Sequence, residues 1–154
     1  MELYLLRHAD ADTEAATDEE RALSEKGKEQ SHRVAQFFES KGLKPALILA
    51  SPLRRAQQTA QVLADSLGIE LETVRWLACG AKPDGTLRQL AARSLGSVVL
   101  VGHEPDMSTL VADLIGAKGG AAIRIRKASL TLIEIVAFRS GGGRLEWSVP
   151  SRLM

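Results

Sequence analysis

Three short apolar runs, residues 3–6, 47–50 and 98–101, each lead straight into polar side chains that are costly to bury without partners. Arg7 and His8 follow the first run. Ser51, with Arg55 one helical turn later, follows the second, and Gly102 and His103 follow the third. Between the runs lie longer stretches of helical period, an alternation that specifies an α/β domain around a mostly parallel sheet. In such a sheet, ligands bind in the crevice outside the carboxyl ends of the strands. The three polar strand ends are therefore expected to converge on one site.

The segments between the runs have recognisable starts and stops. After an acidic, Ala-rich loop over residues 10–20, Ser24 caps a helix carrying Val34, Phe37 and Phe38 inward and ending at Gly42. Ser51 and Pro52 read as a capping residue and a first-turn proline, opening a helix that runs to Gly68. Residues 69–76 read as extended, 84–95 as a helix closed by Gly96, and residues 102–105 as the turn into a helix ended by Gly116. Residues 129–138 and 144–149 flank three glycines and read as a C-terminal hairpin at or near a sheet edge. Residues 117–127 carry no clear pattern. The expected fold is a three-layer α/β/α sandwich whose mostly parallel sheet has an antiparallel edge strand and a C-terminal hairpin, with residues 1–154 as a single domain.

The chain has 154 residues, 45% of them hydrophobic, and its 20 basic and 19 acidic side chains leave a net charge of +1. No global field draws it to nucleic acid or to an anionic membrane, so any anion site must be local. No apolar run approaches the ~20 residues of a membrane span. The opening MELYLL carries neither a basic leader nor a cleavage site, and Cys79 is the single cysteine. These features lead to the expectation of a cytoplasmic protein, with Cys79 as a buried, inert side chain.

Two guanidiniums and two imidazoles in one pocket repel one another unless an anion sits among them, and guanidinium forks match phosphate oxygens. The N–H groups at the start of the helix near Pro52 are expected to add to that affinity. There is no G-x-S-x-G elbow, no CxxxxxR loop and no P-loop, which leaves histidine as the nucleophile for phosphoryl transfer. Zinc on His8, His103 and Asp10 is a poor rival, because two flanking arginines oppose a divalent cation. His32 reads as a helix-surface residue.

Leu6-Arg7-His8 resembles the RH signature of the histidine phosphatases. The segment from Ser51 to Ala60 resembles their SPLxRAxQTA stretch, and Val101-Gly102-His103 their second-histidine motif. The resemblance spans residues 3 to about 115 and implies the phosphoglycerate mutase-like fold. It makes His8 the nucleophile, Arg7 and Arg55 the clamps on the phosphoryl oxygens, and His103 a donor to the same group. Arg54 is left to the surface, because the family arginine immediately precedes the alanine. No cofactor and no metal are implied.

The short length, the stretch Arg21-Ala22-Leu23-Ser24 before Gly27, and Asp10 make the chain similar to SixA-type phosphohistidine phosphatases, which lack a large cap insertion. That likeness implies a phosphohistidine-bearing protein as substrate, such as a phosphotransfer domain or phosphocarrier, with inorganic phosphate as product. Ala9 stands where the superfamily commonly has glycine, so residue 9 need not take a positive φ. The general acid of many relatives has no obvious counterpart: Asp84, Glu104, Asp106 and Asp10 are the candidates. An imidazole leaves phosphorus more easily than an alkoxide, so this gap favours phosphohistidine over small phosphate esters. A small-ester phosphatase and a non-catalytic phosphate-binding module are the alternatives. The alternating Arg124, Arg126 and Lys127 read as a solvated strand face that also suits an acidic partner.

Overall fold

A computed structural model describes residues 1–118 and 122–154. Among these, six strands form one sheet in the order β3-β2-β4-β1-β5-β6. They are β1 (Glu2–Arg7), β2 (Ile48–Ala50), β3 (Leu71–Thr73), β4 (Ser97–Gly102), β5 (Leu130–Ile135) and β6 (Gly143–Val149). The first four pair in parallel, β5 runs antiparallel to β1, and β6 closes the edge antiparallel to β5. The helices are α1 (Glu25–Ser40), α2 (Arg54–Leu67), α3 (Pro83–Ala91) and α4 (Asp106–Leu114).

Both faces of the sheet are covered, which explains why its strands are apolar without interruption. Tyr4 and Leu6 of β1 and Val99 and Val101 of β4 pack with Val34 and Phe38 of α1 and Ala60 and Leu63 of α2. The alternate residues Leu3, Leu5, Val98 and Leu100 pack on the other face with Leu87 and Leu90 of α3 and Leu110 and Leu114 of α4. The period of two in the strands thus divides one apolar run between two cores. Each fully buried Leu or Val stabilises the fold by roughly 1.5–3 kcal/mol relative to exposure.

The helix after β1 and the helix after β4 lie on opposite faces although the two strands are neighbours. The chain therefore diverges at the carboxyl ends of β1 and β4 and leaves a crevice there. His8 leaves β1 at that point, its backbone N–H donating to the Gly102 carbonyl of β4 at 3.0 Å.

Several local expectations are revised. α2 begins at Arg54, with Leu53 as its N-cap and Pro52 outside it. Ser51 is no ordinary cap: its Oγ accepts the Leu53 N–H at 3.3 Å and meets His103 at 2.7 Å. The extended stretch shrinks to β3 and then turns into the 3₁₀ segment Arg75–Leu77, while α3 ends at Ala91, short of Leu95. Residues 123–126 join no strand. Ile125 is buried among them, and Arg124 and Arg126 face solvent. The patternless stretch 117–127 includes residues 119–121, which fall outside the described residues. Cys79, expected to be buried, is exposed.

The start of α1 is pressed onto the backbone just after His8. Ser24 caps the helix by accepting the Gly27 N–H at 3.1 Å, and its own N–H donates to the Asp10 carbonyl at 3.1 Å. A Cβ on Gly27 would lie 1.9 Å from that carbonyl oxygen. Gly27→Ala must move either the helix or the loop, a clash of the kind that costs about 1–3 kcal/mol. Urea unfolding of Gly27→Ala is expected to show a lowered midpoint with an unchanged slope, together with impaired phosphatase turnover.

Candidate active site

The crevice brings together the four residues picked out by the strand-end pattern. His8 is 6% exposed, Arg55 5% and His103 2%, and Arg7 is half-buried beside them. Arg55 donates its Nε–H to His8 Nε2 at 3.3 Å. The His8 and His103 rings lie 5.2 Å apart between centroids, tilted by 50°. Arg54, the other member of the arginine pair, is exposed, and its backbone N–H is taken by the Glu19 carbonyl at 3.0 Å.

The two ring nitrogens of His8 have different partners. Nδ1 lies 2.8 Å from the carbonyl oxygen of Ala9, which can only accept, so Nδ1 carries the proton. Nε2 then keeps its lone pair and accepts from Arg55. Burial pushes the His8 pKa down to about 3; the hydrogen bond to Ala9 opposes that shift, and the nearby His103, Arg55 and Arg7 add smaller downward contributions. His103 is pushed down to about 4, mainly by burial and then by Arg55. Both rings are neutral at pH 7, so the pocket carries far less positive charge than its residue types suggest.

His103 Nε2 meets the Ser51 hydroxyl, while its Nδ1 is buried with no hydrogen-bond partner among the described residues. Arg7 Nε is in the same state, while Arg7 Nη1 donates to the Ile125 carbonyl at 2.9 Å. Burial lowers the pKa of Arg7, and the nearby Glu104 partly opposes that shift. Unpaired buried polar atoms are rare and costly in proteins, and an oxyanion placed beside them would satisfy Arg7 Nε and, in its Nδ1–H tautomer, His103.

The polar residues of the stretch 51–60 hold the loops around this pocket. Thr59 Oγ1 accepts the Ala9 N–H at 3.1 Å and donates to the Arg55 carbonyl at 2.7 Å. Gln58 Oε1 accepts the Leu23 N–H at 2.7 Å, and Gln57 donates to the Ser51 carbonyl at 2.6 Å. Ala9 is fully buried and is absent from the described non-glycine residues with positive φ, which are Ser94 and Ala128. The N–H groups expected to be free at the start of α2 are partly spent on Glu19 and Ser51.

One residue at the site escaped sequence reasoning. Asp18 accepts from Arg55 Nη2 through its carboxylate at 3.1 Å and from Nη1 through its backbone carbonyl at 2.8 Å. Its carboxyl is held below the usual range by Arg21 and then Arg55. The only signal was its place in the acidic loop that follows His8.

Three of the four candidate acids are engaged elsewhere, and the fourth is exposed. Asp84 is exposed in the first turn of α3. Glu104 accepts the Ser108 N–H at 3.0 Å. Asp106 accepts the N–H groups of Gly80 and Ala81 at 2.8 and 3.1 Å. Asp10 pairs with Lys127 at 2.6 Å and accepts from Ser24 at 2.7 Å. Among the described residues, none of them hydrogen-bonds to either imidazole.

A neutral imidazole with an unprotonated nitrogen, set beside guanidinium forks at strand carboxyl ends, has the chemistry that phosphoryl transfer calls for. The model of the histidine phosphatase superfamily, branch 1, matches residues 3–78. An uncharacterized protein of Picosynechococcus is 35% identical, the match covering 99% of this chain and 93% of that one. Phosphohistidine phosphatase SixA of Escherichia coli is 29% identical, over 97% of this chain and 93% of its own. The structure of the protein histidine phosphatase SixA complexed with tungstate superposes with a TM-score of 0.87 at 24% identity, covering 99% of both chains. The chain belongs to the histidine phosphatase superfamily and is a phosphatase. Within that superfamily it is similar to the SixA proteins over nearly its whole length.

The ring chemistry is directly testable. Long-range ¹H–¹⁵N spectra of the ligand-free protein are expected to show His8 as the neutral Nδ1–H tautomer, with no imidazolium from about pH 8 down to about pH 5. A ring titrating near the ordinary ~6.5 would refute this. The sign for stability follows. An unfolded histidine takes its proton near ~6.5 and the folded rings only near 3 to 4, so in between the unfolded state binds more protons. The contribution present above ~6.5 is lost as the pH falls toward 4, and the urea midpoint is expected to drop over that window.

Proposed function

We propose that the protein is a cytoplasmic phosphohistidine phosphatase that hydrolyses phosphohistidine on a partner protein through a covalent phosphoryl intermediate on His8. The observation that carries this reading is the Nδ1–H···O bond of His8 to Ala9, which leaves Nε2 unprotonated, its lone pair meeting, among the described residues, only the Arg55 Nε–H at 3.3 Å. In the first step Nε2 attacks phosphorus in line, the P–N bond to the substrate imidazole breaks, and that ring departs with its electron pair and takes up a proton. In the second step water adds to phosphorus, the bond to Nε2 breaks, and inorganic phosphate leaves.

Arg55 and Arg7 hold the non-bridging oxygens, and Asp18 fixes the plane of the Arg55 fork. Ser51 Oγ meets His103 Nε2 at 2.7 Å; in the tautomer in which the hydroxyl donates, the ring proton sits on the buried, unpartnered Nδ1 and donates to the phosphoryl group. The substrate class is supported by the SixA similarity and by the absence, among the described residues, of a carboxylate hydrogen-bonded to either imidazole. An alkoxide leaving group needs a placed acid much more than an imidazole does. A phosphotransfer domain or phosphocarrier fits this chemistry. Neither nucleic acid nor membrane is called for, and no described helix is long and apolar enough to cross a bilayer.

Rapid quench with ³²P-labelled substrate is expected to trap an acid-labile phosphoenzyme in the wild type and none in His8→Ala, whose turnover falls to background. Turnover persisting in His8→Ala would rule out the covalent route. Arg55→Ala is expected to lose at least ~100-fold in kcat/KM, the loss typical of removing a preorganised charge donor, while Arg54→Ala stays within about twofold. On substrate class, kcat/KM for a phosphohistidine protein is expected to exceed that for a panel of small phosphate esters by about 100-fold or more, comparable to the contribution of a positioned acid. Equal or better rates on esters would overturn the assignment.

A further inference from the structure

Beside Arg7 lies a groove of about 620 Å³ assembled from three distant stretches: residues 123–127, the start of α1, and the C-terminal turn at 150–152. Arg7, Lys26, Arg124, Arg126, Lys127 and Arg152 line it against only two carboxylates, Asp10 and Glu104. Both carboxylates are committed, Asp10 to Lys127 and Ser24, and Glu104 to the Ser108 N–H. Lys26, Arg124, Arg126 and Arg152 are exposed and form no ion pair among the described residues. The chain as a whole carries only +1, so this is a local concentration of charge on an otherwise balanced surface.

The groove is fastened to the site. Arg7 lines it and also donates to the Ile125 carbonyl, while the Ala128 N–H reaches the carbonyls of Arg7 and His8 at 3.1 and 3.2 Å. The groove therefore adjoins the phosphoryl site through Arg7, within reach of chain that flanks a phosphorylated side chain at His8. The lining contains no aromatic side chain on which a base could stack, and its apolar members are Ile123, Ile125 and Pro150. That combination suits a polypeptide carrying carboxylates better than a nucleic acid.

We propose that this groove is a docking surface for an acidic segment flanking the phosphohistidine of the protein substrate. The proposal rests on the phosphohistidine reading above and adds a charge requirement on the partner. Steering of this kind raises association rates about tenfold or more at low salt and is lost at high salt.

The test uses two synthetic peptides that each carry one phosphohistidine, flanked by Glu and Asp in one and by Ser and Gly in the other. At about 50 mM salt the wild type is expected to favour the acidic peptide about tenfold in kcat/KM, and the preference should disappear near about 0.5 M. The triple variant Arg124→Gln/Arg126→Gln/Arg152→Gln is expected to abolish the preference while turning over the neutral peptide at the wild-type rate. Equal rates in the wild type at low salt, or a preference that survives the triple variant, would overturn the proposal. If the wild type hydrolyses neither peptide, the phosphohistidine reading fails, and the groove is then judged by fluorescence anisotropy with the unphosphorylated acidic peptide. Binding that the triple variant loses upholds the groove. No binding, or tighter binding of a single-stranded oligonucleotide, refutes it.

Discussion

The hydrogen bond from His8 Nδ1 to the carbonyl of Ala9 is the interaction on which the rest of the site depends. It spans adjacent residues, so it depends on the backbone path just after β1, which contacts from several elements hold in place. Thr59 holds the Ala9 N–H, the start of α1 presses on the Asp10 carbonyl, and Gly102 accepts the His8 N–H. A ring held this way has its tautomer chosen before any ligand arrives. As the proposed nucleophile, His8 needs no separate base, because burial keeps the imidazole unprotonated and the carbonyl decides which nitrogen is free.

The fold places this turn where two neighbouring parallel strands send their helices to opposite faces. β1 and β4 are paired along their full length, so Arg7 stands opposite Gly102, and His8 and His103 leave the sheet side by side. Ser51 joins them from β2, its backbone N–H on the Val101 carbonyl at 3.0 Å. Three strand ends thus supply the pocket, and the fourth parallel strand, β3, carries the chain toward α3.

Much of this was legible in the amino-acid pattern, for a physical reason. Fully buried parallel strands must be apolar along their length, so a charged or imidazole side chain at the end of such a run marks the rim of the sheet, and three such rims located the site. The choice of Arg55 over Arg54 rested on the motif; Arg55 is buried beside His8, and Arg54 is exposed. Asp18 was not legible, because a carboxylate in a loop gains its role only when the loop folds back over α2, and nothing in the spacing of residues 10–20 encodes that return. The cap at Ser51 was misread for a related reason. A serine before a proline carries the local signature of a helix start, yet its hydroxyl is drawn to a histidine 52 positions away. The general acid could not be placed because Glu104, Asp106 and Asp10 answer to nearer N–H or ammonium groups and Asp84 lies exposed at the start of α3.

The neutrality of the two imidazoles also bears on how the enzyme finishes its cycle. Four cations around inorganic phosphate would make a trap from which the product dianion escapes slowly. With both rings uncharged and Asp18 offsetting part of Arg55, the pocket grips a phosphoryl group mainly through the direction of its hydrogen bonds and much less through net charge. In the proposed cycle, directional donors favour the geometry of the transferring group over that of the freed ion, so the burial that keeps His8 unprotonated also spares the pocket a strong electrostatic hold on its product.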